Sequence, residues 1–139
     1  MINKIAIILI VLVSFNFAQE KEYLGIDEKT GRSILIGYAD RTVFSDSNFA
    51  WWFNSGYKFY KTDSTIMKQF EPIDLDSITT TIVLGTWCSD SRREVPRFFK
   101  IVDQLKISEH PIKMFGVNRE WRDEETEIDS LNIEFVPTF

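Results

Sequence analysis

Thr79 to Gly85 is a β-branched and apolar run that reads as a buried strand, and it passes directly into Thr86-Trp87-Cys88. Behind it, Val95, Phe98, Phe99, Val102 and Leu105 recur at helical spacing. A buried strand that turns at once into an amphipathic helix needs a sheet with helices layered on it, which makes the chain α/β. Cys88, the only cysteine, falls at the turn. Unpaired backbone N–H groups and the positive end of a helix dipole stabilise a thiolate there, so the position favours a reactive cysteine over an inert one. Arg92 and Arg93 follow close behind and act in the same sense, whereas the carboxylate of Asp90 acts against it.

On these residues the chain resembles the thioredoxin family. Trp87-Cys88 stands directly after the buried strand, Pro96 falls where that family kinks its first active-site helix, and Val136-Pro137-Thr138 matches the cis-proline loop that faces the active-site cysteine. The likeness in element order covers about Ser33 to Phe139. It implies a thioredoxin-like fold, with a central mixed β-sheet flanked by helices and Thr79 to Thr86 as its central strand. It also implies thiol-disulfide exchange at Cys88 beside Trp87, Ser89, Asp90, Ser91 and Arg92, with Val136, Pro137 and Thr138 holding substrate. Ser91 departs from the pattern, because it occupies the place of the second cysteine and a serine cannot resolve a mixed disulfide. Ile82 departs too, standing where dithiol members often carry a buried aspartate. Release of a bound partner is therefore expected to need an external thiol. The fold implied by the resemblance continues past the cis-proline loop with an antiparallel hairpin and a closing helix, which are missing here. Either the chain is part of a longer protein, or Gln19 to Phe70 supplies replacement elements.

The start of the chain has its own pattern. Met1 to Lys4 is a short positive segment, Ile5 to Val13 is unbroken apolar sequence, and Ser14 to Ala18 closes it with small or polar residues. This is the layout of a secretory signal peptide cleaved after Ala18, too short for the roughly 20 residues of a spanning helix. An exported protein, periplasmic or secreted and without stable membrane insertion after cleavage, is expected; an uncleaved N-terminal anchor is the alternative. Residues 1–18 are thus the signal, 19–32 an N-terminal segment, and 33–139 the thioredoxin-like domain.

A hydrophobic content of 44% is ample for a single core. The net charge of -5, with no basic cluster beyond Arg92-Arg93, leaves no electrostatic footprint for nucleic acid. A lone cysteine in an oxidising compartment can form no internal bridge, so it stays free or pairs with another thiol. The expected partners are protein or low-molecular-weight thiols and disulfides.

Along the chain, Gln19 to Thr30 is charged and turn-rich, and Ser33 to Tyr38 reads as the first strand of the sheet. Phe49, Trp52, Phe53, Gly56 and Tyr60 fall on one face of a helix from about Ser47 to Lys61, and such a stripe is more often core than ligand site. Thr62-Asp63-Ser64 caps a short helix to about Phe70, and Ile112 to Val117 is a second buried strand. Trp121, Ile128 and Leu131 mark the inner face of a further short helix. Asp123, Glu124, Glu125, Glu127 and Asp129 form a solvated acidic run rather than a metal site.

Three other chemistries compete with the thiol reading. Cys88 to Arg92 fits C-x-x-x-R, the thiolate and oxyanion arrangement of thioredoxin-fold arsenate reductases. The Cys-x-x-Ser spacing is similar to that of monothiol glutaredoxins, but export argues against their iron-sulfur cluster, so no cofactor and no metal are expected. A Cys-His hydrolase would need His110, the only histidine, which lies in a loop signal. A non-enzymatic binding module on the same fold is the remaining alternative.

Overall fold

The computed structural model describes residues 23–70, 78–107, 111–120 and 126–139. The signal-peptide pattern, His110, Trp121 and the acidic residues Asp123 to Glu125 lie outside the described residues, as does the side chain of Glu127. The architecture is mixed α/β. Strands β1 (Leu24–Ile26) and β2 (Ser33–Leu35) form an antiparallel pair. Strand β3 (Gly37–Ala39) is followed by the 3-10 turn Arg41–Ser45, helix α1 (Ser47–Phe59) and the short helix α2 (Ser64–Met67), which runs on as the 3-10 turn Lys68–Phe70. Then come β4 (Thr80–Leu84), α3 (Ser89–Gln104), β5 (Ile112–Gly116) and the 3-10 helix Thr126–Leu131.

The second sheet has the order β3-β5-β4 and is mixed. Strand β4 runs parallel to β5 with Val83 opposite Phe115, and β3 runs antiparallel to β5 with Tyr38 opposite Phe115. The centre of the ladder is thus Ile112–Gly116, which corrects the expectation that Thr79 to Thr86 is central. β4 still has a neighbour on each side, because Val83 N–H donates to Thr138 O at 2.9 Å and Thr138 N–H to Val83 O at 3.0 Å. Among the described residues, no strand from Gln19 to Phe70 adds to that edge. β3 joins the sheet on its opposite side.

Strand Ser33 to Tyr38 is split in two, for a local reason. Gly37 has φ 74, a left-handed conformation that ends one extended run and re-aims the next. The turn-rich segment before it holds β1, whose end is tied back by Asp27 N–H to Arg32 O at 2.8 Å. At Gly116 a Cβ would stand 2.4 Å from Leu35 O, so only glycine allows β2 to lie this close to β5.

Period-2 alternation divides the buried residues of β4 and β5 between two faces. Ile82, Leu84 and Met114 join Phe49, Trp52, Phe53, Val95 and Phe99 under α1 and α3. Phe49, Trp52 and Phe53 of the α1 stripe are therefore core, as expected, with Phe44 stacked on Phe53 at 4.2 Å between centroids and Phe53 edge-on to Phe99 at 5.8 Å, whereas Tyr60 is the C-cap and only half-buried. α1 starts at Asp46, whose carboxylate accepts from Asn48 N–H at 2.9 Å. Its closest approach to α3 is Gly56 against Pro96, where a Cβ on Gly56 would stand 2.6 Å from Pro96 Cγ. α3 continues through Pro96 as one helix, with the Arg92 carbonyl denied its usual donor.

Val83 and Phe115 point to the other face, with Val117, Ile128 and Val136. What covers that face among the described residues is a 3-10 helix and the Ile133 to Val136 stretch, not an α-helix. Ile128 is buried as expected, but Leu131, expected on the same inner face, is the last residue of the 3-10 helix and is 47% exposed.

Candidate functional site

Strand β4 pairs with β5 up to Leu84 and is bridged on its other edge at Val83 to Thr138, and the chain then turns through Gly85-Thr86-Trp87 into α3. Cys88 N–H donates to Gly85 O at 2.8 Å, and Arg92 N–H donates to Cys88 O at 3.2 Å as the helix begins. Cys88 is the N-cap residue, in extended conformation, and its side chain makes no capping bond. The N–H groups of Ser89, Asp90 and Ser91 belong to the first turn and have no intrahelical acceptor. The thiol is half-buried, and its Sγ lies 3.5 Å from Val136 O.

The residues around Cys88 divide into those that build the turn and those that face it. Thr86 is buried, its Oγ1 accepts from Leu35 N–H at 3.0 Å, and its carbonyl accepts from Arg92 Nε at 2.6 Å. Ser91 is fully buried and accepts from Gly85 N–H at 3.2 Å, so it ties the first turn of α3 to the end of β4. Trp87 donates from Nε1 to Val117 O at 2.8 Å. Gly85 makes room for that indole, because a Cβ there would stand 2.6 Å from Trp87 Cε2. Ser89 and Asp90 are exposed, and Asp90 pairs with Arg93 at 2.9 Å.

The Val136-Pro137 bond is cis. Val136 is buried with its carbonyl at the thiol, and its N–H has no acceptor among the described residues. Thr138 forms the bridge to Val83, and its Oγ1 donates to Phe135 O at 2.6 Å. Cys88 and Val136, which the resemblance set facing each other, are thus in contact.

Arg119, Asp27 and Trp51 went unread in the sequence as residues of the site. The guanidinium of Arg119 lies 4.6 Å from the Trp87 ring centroid and makes a fork to Asp27, with Nε to Oδ1 at 2.7 Å and Nη2 to Oδ2 at 2.9 Å. The hydrogen bond from Arg119, followed by that from Thr30, holds the buried Asp27 carboxyl far below the usual carboxylate range against the opposing effect of burial. Asp27 in turn raises Arg119, with a smaller push from the charge of Cys88. Arg92 lies under Trp51, with its guanidinium carbon 5.7 Å from the ring centroid. Burial lowers its pKa, and the charges of Arg32 and Arg119 lower it further, while that of Cys88 works the other way. Asp27 and Arg119 are separated by ninety-two positions, and nothing in local spacing links them.

Among the described residues no group of three or more His, Cys, Asp or Glu could hold a metal, and no helix is long and apolar enough to cross a membrane. No protein-family model, curated protein or solved structure matches the chain.

Proposed function

We propose that this chain is an exported protein of thioredoxin-like fold that carries out thiol-disulfide exchange through the single cysteine Cys88. The observation that carries the reading is the half-buried Cys88 at the start of α3, with Val136 O 3.5 Å from its sulfur. The cis Val136-Pro137 bond and the parallel β4-α3-β5 unit agree with the same resemblance. The Val136 N–H, without an acceptor among the described residues, and the Val136 carbonyl offer an extended peptide a backbone edge beside the thiol.

In this reading the Cys88 thiolate attacks one sulfur of a substrate disulfide. A new disulfide forms to Cys88, the old bond breaks, and the second substrate sulfur leaves as a thiolate. An outside thiolate then attacks the mixed disulfide, takes over the bound sulfur and returns Cys88 as thiolate. The outside thiol is the reductant of the cycle. Ser91 sits one turn from Cys88 in the buried position from which a second thiol would act intramolecularly, and its hydroxyl cannot do so.

Intact mass spectrometry of the purified protein after exposure to a disulfide tests this. Wild type accumulates a reductant-sensitive adduct, Cys88→Ala accumulates none, and Ser91→Cys discharges it and gains turnover in insulin reduction. If native Cys88 is alkylated by iodoacetamide no faster than after local unfolding, the thiol reading fails and a binding module remains. A mature N-terminus at Gln19 in exported material checks the export part.

A further inference from the structure

Arg92 is a half-buried cation without a carboxylate partner among the described residues. Its Nε is committed to Thr86 O at 2.6 Å, which fixes the guanidinium beside the first turn of α3, and Trp51 covers one face of it. Neither Nη atom has an acceptor among the described residues. Trp51 is itself 61% exposed, so the pair borders solvent. Arg32, also without an ion pair among the described residues, and Arg119 are close enough for their charges to act on Arg92. Arg119 is neutralised by Asp27, and Asp90, the carboxylate nearest Cys88 in sequence, is taken by Arg93. A chain of net charge -5 therefore presents a local excess of positive charge at its thiol.

A buried or half-buried cation is costly unless an anion compensates it, and Arg is well shaped to receive a carboxylate on its two outer nitrogens. When Cys88 is ionised its charge offsets part of that cost, and that charge is lost when the mixed disulfide forms. Once the sulfur is neutral, the cation is left without a partner, unless the bound partner brings its own negative charge.

We infer that the disulfides accepted at Cys88 are those carrying a carboxylate close to the sulfur, with the Nη groups of Arg92 receiving that carboxylate. This rests on the thiol reading above and names its substrate class. The anion steers encounter and stabilises the adduct, whereas a cationic disulfide meets repulsion from Arg92 and Arg32.

Three small alkyl disulfides of similar size and different charge provide the test: dithiodipropionate (anionic), bis(2-hydroxyethyl) disulfide (neutral) and cystamine (cationic). Rates of adduct formation with the full chain are divided by the rates of a free cysteine peptide, so that differences in the disulfides themselves cancel. Wild type favours the anion over the neutral compound by about tenfold and disfavours the cation by a similar factor. Arg92→Gln reduces both ratios to about twofold or less, and because they are ratios, a change in thiol ionisation drops out. Arg92→Lys retains most of the preference, and 0.5 M salt compresses it in wild type whether or not the variants fold. Equal normalised rates for all three compounds in wild type overturn the inference and leave the thiol reading intact. A preference that survives in Arg92→Gln also overturns it. No reaction with any of the three removes the thiol reading, and this inference with it.

Discussion

The two faces of the sheet are built differently. Under α1 and α3 the packing is aromatic and dense: Phe44, Phe49, Trp52, Phe53 and Phe99 interlock, and Gly56 meets Pro96 where the helices cross. On the other face, Val83, Phe115, Val117, Ile128 and Val136 form a smaller cluster that includes Trp87 and Cys88 at its margin. The first face carries most of the large buried side chains. The second leaves a thiol half-open and surrounds it with backbone carbonyls and guanidinium groups. Most of the core thus lies on one side of the sheet while the thiol sits at the margin of the other, and each can be perturbed with limited effect on the other.

The largest expected effect is on the first face. Phe99→Ala removes a ring that is 1% exposed and costs about 3–5 kcal/mol in denaturant unfolding. If the faces are independent, the alkylation rate of Cys88 in folded protein changes by less than about twofold. A larger change would show that α3 transmits core damage to its own N-terminus.

Gly85→Ala inverts the pattern. The new Cβ would stand 2.7 Å from Trp87 Nε1, so the indole moves and its bond to Val117 O is lost. Stability falls by about 1–3 kcal/mol, and alkylation of Cys88 accelerates severalfold as the shield shifts. An unchanged alkylation rate would mean that Trp87 does not cover the thiol.

Acid should expose one carboxylate associated with each face. Asp103 is held below the usual carboxylate range, chiefly by its fork to Arg41 at 2.7 Å and also by the Tyr57 hydroxyl, against burial. Asp27 is shifted in the same direction by Arg119. A carboxyl depressed in the folded state contributes stability that is fully present above its unfolded pKa and lost as pH falls towards its folded one. The denaturation midpoint should therefore drop as pH falls below about 4. Asp27→Asn and Asp103→Asn should each flatten part of that drop. Only Asp27→Asn should also alter the Trp87 fluorescence, because it releases Arg119 from its place over the ring.

The smallest effect belongs to the exposed start of α3. Asp90 and Arg93 are 56% and 53% exposed, and Asp90→Asn should change stability by no more than about 0.5 kcal/mol. A larger loss would show that this pair fixes the helix start.

Features set by near neighbours were legible in the chain. The apolar run before Cys88, the helical recurrence of Val95, Phe99 and Val102, the Asp63 cap and the stripe Phe49, Trp52 and Phe53 all depend on residues within a few positions of one another, and local periodicity and capping chemistry read such dependences directly. That Cys88 would stand near Val136 came from the resemblance alone, since no spacing rule joins residues so far apart. The position of β5 at the centre of the sheet, the break at Gly37 and the exposure of Leu131 followed from pairing partners, backbone dihedrals and tertiary packing that the residue pattern does not specify. The guanidinium groups around the thiol are the clearest case. Arg119 reaches Trp87 and Asp27 only because the parallel register of β4 and β5 sets Leu84 opposite Gly116 and brings the two strand ends together. A long charged side chain carries no periodic signal of its own, and its partner is decided by which distant backbone the sheet brings within reach.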